Sequence, residues 1–368
     1  MNERVAWKSV NPALIAAVVL LATLGSVLVR SAVSGMDAGD TMFRRHLFGL
    51  AIGLIPLGVA WAIDYRKLQG WIGPLLLLDA LLIISPRIPG LGDEAGGATS
   101  WLQIAGFRLF QPSEPAKLVT IVVMAAVIAQ YKGEIDKPKD VAKIMGILAI
   151  PLGLILLQPD LGTGLVFVAI TMGMLLVGGL KARWFAVFAL VGVLLTGVVL
   201  RSGVLADYQV DRLLVFVDPS RDPQGAGYNL EQSKIAIGSG ELTGKGLGSG
   251  TQGNLNFLPE RHTDFIFAVL GEELGFTGAI ILLGLYLVLL ITALEISAQS
   301  RDLFGSLIVA GIISMWTFQI LENIGMTIGL MPITGIPLPF MSFGSSFMVT
   351  NMLAVGMLLS VWSHRHAS

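Results

Sequence analysis

The 368-residue chain contains no cysteine, which excludes disulfide staples, thiolate chemistry and Cys-based metal sites. Charge is nearly as scarce. Asp, Glu, Lys and Arg make up 13% of the residues, against ~25% in soluble domains. The 24 basic and 25 acidic side chains leave a formal net charge of −1. No basic surface exists for a nucleic acid, so none is expected as a partner. The four histidines (His46, His262, His364 and His366) are too scattered for a ligand motif. What is abundant is apolar, at 54% of the chain and a mean hydropathy of +0.77. A soluble globular enzyme and a disordered chain are both excluded, and an integral membrane protein remains.

Crossing a ~30 Å hydrocarbon core takes about 18 or more mostly apolar residues. Ten stretches qualify or come close: about 11–29, 46–63, 70–85, 114–131, 142–158, 160–180, 184–202, 264–294, 303–330 and 340–361. The alternating ~10-residue segments of a membrane β-barrel are missing, so the expected fold is an all-α bundle of ten transmembrane helices. The first stretch, preceded by Arg4 and Lys8, resembles a signal peptide. It is too long for one and lacks a small-residue cleavage site, so it reads as an uncleaved span.

Ten spans put both termini on one side. That side holds Arg4, Lys8, Arg66, Lys67, Lys132, Lys137, Lys139, Lys143, Lys181, Arg183, Arg301 and Arg365, whereas the opposite short loops hold Arg30, Arg44, Arg45, Arg87 and Arg108. The positive-inside rule therefore predicts cytoplasmic termini. Trp7, Trp61, Trp71, Trp101, Trp184 and Trp362 fall near span ends, as an aromatic belt requires. The chain reads as one polytopic domain, 1–368, with external segments at 86–113 and 203–263. The second is too long for an ordinary connection, and residues 229–237 within it read as a short amphipathic helix. A folded cap on the outer surface is expected.

The cap carries a glycine run from Gly238 to Gly253 around Lys245. Such a run can cradle a phosphate or serve as a flexible turn. It is not a Walker A loop, because three residues rather than four separate Gly240 from Gly244 and Lys245 precedes glycine. No nucleotide is expected. Next comes Pro259-Glu260-Arg261-His262-Thr263-Asp264-Phe265, which runs straight into an apolar span. Asp264 is open to two readings: a helix N-cap, or a surface carboxylate that takes a proton from a sugar hydroxyl. As an exposed group it carries no expectation of a raised pKa. Glu272 and Glu273 follow two turns later.

The other external segment ends in Gln111-Pro112-Ser113-Glu114-Pro115-Ala116-Lys117. Ser113 is the expected N-cap, and Glu114 and Lys117 share a helix face. A cation one turn inside the bilayer needs a partner, and Glu114 is nearest; a bound anion is the alternative. Trp101 is either belt aromatic or site rim. Pro159-Asp160 reads as a turn. Asp79 and Glu322 should face the bundle interior, without an assigned role.

The strings QPSEPAK (111–117), QPDLGT (158–163), GAGYNLEQSKIAIGSG (225–240), GKGLGSGTQ (244–252), FLPERHTDFIFAVLGEELGF (257–276) and PLPFMSFGSS (337–346) resemble the SEDS family of bacterial membrane proteins. The likeness spans the chain with motif order kept, and is nearer the elongation branch, RodA, than the division branch, FtsW. It implies a peptidoglycan glycosyltransferase that polymerises lipid II on the outer face of the cytoplasmic membrane. It also implies a class B penicillin-binding protein and other elongation-complex proteins as partners. By motif, Asp264 matches the family's essential aspartate, and Trp101, Glu114 and Lys117 match residues of its fourth-span approach. Arg212, Gln232, Ser233, Lys234, Lys245, Gln252, Arg261, His262 and Thr263 fall in matching motifs as substrate-binding candidates. Two departures are visible: Ser100 stands where the family often has arginine, and Ser345 replaces a glycine of the last motif.

The implied chemistry needs one carboxylate to accept a hydroxyl proton and cations to neutralise a departing lipid diphosphate. Asp264 suits the first role, and Arg212, Lys234, Lys245 and Arg261 the second. A divalent cation, Mg²⁺ or Mn²⁺, bridging a carboxylate and phosphate oxygens would help. A lipid II transporter is the rival, but it should gather its polar residues near the midplane. Here residues 203–264 alone hold 13 of the 49 charged side chains (24 basic plus 25 acidic), eight acidic and five basic.

Overall fold

A computed structural model describes residues 10–95, 98–104, 107–202, 207–251 and 257–365. Helices occupy all ten apolar stretches: α1 (Pro12–Ala32), α2 (Gly39–Ala62), α3 (Ile72–Ile84), α4 (Ser113–Ile128), α5 (Pro138–Leu156), α6 (Leu161–Val177), α7 (Ala182–Ser202), and, past the long segment, α10 (Ile266–Ala298), α11 (Leu303–Ile328) and α12 (Ser345–Ser363). Within the long segment lie α8 (Asp207–Leu214) and α9 (Ala226–Ser239). Among the described residues, six helices are long and apolar enough to cross a membrane: α1, α2, α4 with its extension to Tyr131, α10, α11 and α12. The chain is a mostly helical membrane protein.

Burial separates an inner set of helices from an outer one. In α4 all but two side chains are buried, and α11 and α12 are nearly as enclosed. By contrast Leu54 on α2, Leu77 on α3, Leu176 on α6, Val193 and Leu194 on α7 and Ile281 on α10 are all more than half exposed. Leucine and valine on an outer face are ordinary where the solvent is lipid. Small residues bring α2 against α12, and a Cβ on Gly49 would lie 2.9 Å from Ser345 Cα. Gly53, one turn on, faces Met352 just as closely, a small-xxx-small contact of the kind that lets membrane helices touch.

The expected helix at 229–237 is α9, longer by several residues. The Asp222 carboxylate accepts from the backbone N–H of Gly225 at 3.0 Å and of Ala226 at 2.7 Å, starting the helix early. Leu230 and Ala236 of α9 join Val215, Leu258, Phe265, Ala268, Met326 and Ile333 in a second apolar core, separate from the main one. The long segment is therefore folded onto α10 and α11 over its described residues.

The glycine run turns out to be a docking surface. Helix α10 breaks at Gly275 (φ 63°, ψ −159°), which strands backbone groups on both sides of the break. The run satisfies them: Phe276 and Thr277 donate to the carbonyls of Glu241 and Leu242 at 2.9 and 3.0 Å. Lys245 and Gly246 donate to those of Glu272 and Glu273 at 3.0 and 2.9 Å. So close an approach of two backbones leaves no room for a side chain at Gly240 or Gly244.

The segment at 86–113 holds an element with no counterpart in the hydropathy reading. It is a three-stranded antiparallel sheet of β1 (Gly92–Ala95), β2 (Ala98–Ile104) and β3 (Phe107–Phe110), with Asp93 opposite Trp101. The signal was Gly-Gly at 96–97, a strong hairpin dipeptide between short runs.

Candidate active site

The site is built around the turn that feeds α10. Glu260 adopts a left-handed backbone (φ 50°), and its carbonyl accepts from the N–H groups of Thr263, Asp264 and Phe265 at 3.1, 3.1 and 3.2 Å. Thr263 Oγ1 donates to the Glu260 carboxylate at 3.1 Å. Asp264 is not the N-cap. Helix α10 starts at Ile266, its cap position is Phe265, and no side chain bonds there.

Four contacts from distant parts of the chain hold this turn. Arg261 is buried, and its Nε donates to the Ala32 carbonyl at 2.6 Å, placing a cation at the negative end of α1. Asn323 on α11 donates through Nδ2 to the Asp264 carbonyl at 2.8 Å. Ser342 Oγ donates to the Thr263 carbonyl at 2.6 Å. Phe343 N–H donates to the His262 carbonyl at 2.8 Å, and the two rings lie 5.4 Å apart. Burial holds the His262 imidazole below its usual range, against the opposing pull of Glu260.

The Asp264 carboxylate itself is half-buried. It faces Gly335 (φ 72°), where an added Cβ would sit 3.1 Å from Oδ2. Burial first, then the neighbouring Glu260 charge, pushes its pKa up to about 7, against the opposing pull of Arg212 and the Thr263 hydrogen bond. An unperturbed aspartate has a pKa of ~3.9. The exposed surface carboxylate expected from the sequence is corrected here: the turn folds beneath the 329–344 loop and removes much of the water. A carboxylate with a pKa near 7 is well matched to general-base work at neutral pH.

The second cluster stands on α4. Lys117 Nζ donates to Glu114 Oε1 at 2.8 Å, with side-chain exposures of 3% and 5%. The ammonium also lies 5.7 Å from the Phe347 ring centroid. Ser113 does not cap α4; its hydroxyl is buried without a hydrogen-bond partner, and the cap position is Pro112. Trp101 is partly buried in β2. Asp160 does cap its helix, α6, through Thr163 N–H at 3.0 Å.

The cationic and polar candidates of the long segment divide. Arg212 on α8 is close enough to act on Asp264, and Lys234 is exposed on α9 beside Gly329. Gln232 is partly buried on the same helix. Lys245, Ser233 and Arg261 donate to identified protein groups. Lys245 Nζ donates to Glu272 Oε1 at 2.7 Å and to Thr251 Oγ1 at 2.8 Å. Ser233 Oγ donates to the Thr327 carbonyl at 2.8 Å, fully buried, and Arg261 anchors the turn. Gln252 lies outside the described residues.

No three His, Asp or Glu side chains among the described residues converge to hold a metal ion. Asn323 and Ser342 were not singled out from sequence. Ser342 lies inside the PLPFMSFGSS string, the one signal pointing at it, and Asn323 sits in a helix read only as a span.

The FtsW/RodA/SpoVE cell cycle protein family matches residues 12–367. Peptidoglycan glycosyltransferase MrdB of Escherichia coli is 38% identical over 367 residues, covering 99% of this chain and 97% of that one. The probable peptidoglycan glycosyltransferase FtsW of Trichlorobacter lovleyi is 36% identical over 362 residues, covering 94% and 91%. A chain from a structure on coordination of polymerization and crosslinking by a peptidoglycan synthase complex superposes with a TM-score of 0.82 at 31% identity, covering 98% and 100%. With that coverage, and with the motif order and the turn around Asp264 in place, the chain belongs to the FtsW/RodA/SpoVE family, the SEDS proteins.

Proposed function

We propose that this protein is a peptidoglycan glycosyltransferase that joins lipid II disaccharide units into glycan strands during cell elongation, with Asp264 as general base. The enzyme class rests on family membership and on relatives that carry that name across nearly their whole length. The assignment of the base rests on one observation: a half-buried carboxylate with a pKa near 7, fixed in place by three chain segments remote from it in sequence.

In this reading a hydroxyl of the acceptor sugar attacks the anomeric carbon of the donor. Asp264 takes the hydroxyl proton as the new C–O bond forms. The bond from the anomeric carbon to the phosphate oxygen breaks, and undecaprenyl diphosphate leaves with the electron pair. Attack opposite the leaving group inverts α to β. Arg212 and Lys234 are the cations placed to neutralise the diphosphate. A Mg²⁺ or Mn²⁺ ion, where used, would be held through the phosphate oxygens of the lipid and would add charge neutralisation.

All ten apolar helices cross the membrane in this reading, with both termini cytoplasmic and the 203–263 cap on the outer face of the cytoplasmic membrane. A class B penicillin-binding protein and other elongation-complex proteins are its partners, a reading supported by the likeness to a chain of a polymerising and crosslinking complex. Purified protein in detergent, given lipid II, should make glycan strands, and Asp264→Asn should not. Strands of normal length from Asp264→Asn would remove the base, and transport without detergent-phase polymerisation would favour the lipid II transporter.

A further inference from the structure

We propose that Asn323 and Ser342 are positioning residues for the reaction: two side-chain clasps that lock the Asp264 turn to the 335–343 loop and set the carboxylate against the Gly335 backbone. The inference rests on Asp264 acting as the base.

Asn323 is fully buried on α11. Its Nδ2 donates to two carbonyls at once, Asp264 and Ile336, each at 2.8 Å. Both neighbours are acceptors, so only the amide nitrogen can face them, and both of its protons are used. The two carbonyls belong to segments some 70 residues apart, and each segment carries one half of the pocket. Asp264 brings the carboxylate, and Ile336 follows Gly335, the wall it lies against. A single amide therefore fixes the distance between base and wall.

Ser342 repeats the device one step away. Its Oγ donates to the Thr263 carbonyl at 2.6 Å and accepts from Leu338 N–H at 2.8 Å, again fully buried. The loop it belongs to is itself held rigidly. Phe340 has a left-handed backbone (φ 62°), a costly conformation for a bulky residue. Tyr286 OH donates to the adjacent Pro339 carbonyl at 2.6 Å, and Trp316 packs edge-on against the Phe340 ring at 5.6 Å. Strain of this kind persists only where the surroundings over-determine it, and it gathers at functional sites. The frame holding Asp264 is thus stiffer than its place at a loop–helix junction requires.

The charged groups that act on the carboxylate are Glu260 from its own turn and Arg212 from α8, and the titratable His262 of the same turn is held below its usual range by burial. Glu322, beside Asn323, is turned to Thr334 Oγ1 at 2.9 Å. A loosened clasp lets the carboxylate leave its wall and take up water, so its proton affinity falls toward that of an ordinary aspartate.

The test is a lipid II polymerisation assay on purified full-length protein, with kcat, KM and the pH profile measured for Asn323→Asp, Asn323→Ala and Ser342→Ala, and Asp264→Asn as reference. Asn323→Asp keeps the shape and puts an acceptor against two carbonyls. The expected result is a fall in kcat of about 10- to 100-fold, KM within threefold, and a rate midpoint about one pH unit or more lower. Unchanged kcat and midpoint would overturn the proposal. So would a loss of kcat with the midpoint in place, which marks a merely structural role. Where the Asn323 variants do not fold, Ser342→Ala decides by the same two readouts. Full activity from Asp264→Asn would instead remove the base itself, whatever the clasp variants do.

Discussion

Two carboxylates sit at the N-terminal ends of membrane helices in this protein, and they are treated in opposite ways. Glu114 on α4 is neutralised by Lys117 at 2.8 Å, with both side chains nearly inaccessible. Asp264, before α10, meets Arg212 only as an influence that burial outweighs. Burial that no close cation offsets favours the protonated carboxyl, and that is the situation at Asp264. The first arrangement suits a strut and the second suits the base proposed above. Both are costly in low dielectric, which is why each is held by a dense set of contacts.

The largest expected effect comes from breaking the second arrangement. Asp264→Asn keeps the shape and removes the proton acceptor, so polymerisation of lipid II should fall by about 10²- to 10⁴-fold, with thermal unfolding little changed. Breaking the first arrangement should do the reverse. Lys117→Met leaves Glu114 buried without its cation, at a cost of ~3–5 kcal/mol, read as a lower unfolding midpoint in detergent. Glu114→Gln with Lys117→Met should recover most of that loss, because the orphaned charge goes too. If the double variant stays as unstable as the single, the pair is not the strut described here.

A third measurement titrates the difference. A general base works ionised, and Asp264 holds its proton until about pH 7, so the rate should rise with pH through about 7. At pH 6 the rate should be about a tenth of its plateau, a loss of one decade per unit. A flat profile down to pH 5 would mean that the carboxylate is ordinary and the burial argument fails.

Much of this contrast was legible in the sequence, for local reasons. Glu114 and Lys117 are three residues apart on a helix, so their pairing follows from helical geometry alone. The turn at 259–265 announces itself by placing five polar residues against an apolar run. Helices follow from apolar stretches, and the α9 helix from its amphipathic pattern. What was not legible depends on contacts between segments remote in sequence. Arg261 reads as a phosphate-binding cation until the Ala32 carbonyl, 229 residues away, is found against it. Asn323 and Ser342 are 59 and 79 residues from the groups they hold, and no spacing rule joins them. The β-sheet was hidden because strands this short carry little hydropathy signal.

Glu272 tests where the line between strut and base falls. It is a third acid in the N-terminal part of a membrane helix, nearly inaccessible at its carboxylate, with Lys245 at 2.7 Å as its cation. It has further donors beside the cation, since Thr251 N–H and Oγ1 each reach Oε1 at 2.8 Å, whereas Glu114 has Lys117 alone among the described residues. Removing the cation therefore leaves the charge partly satisfied, and the penalty should be smaller than at Lys117. Lys245→Met is expected to cost about 1.5–3 kcal/mol of stability, because it unlatches the glycine run from the break in α10. Its KM for lipid II should stay within about twofold, since the ammonium is turned toward Glu272 and Thr251. A tenfold rise in KM with stability intact would reverse that assignment. Lys245 would then be a diphosphate cation borrowed by Glu272 between turnovers, and the glycine run would join Asp264 on the reactive side of the comparison.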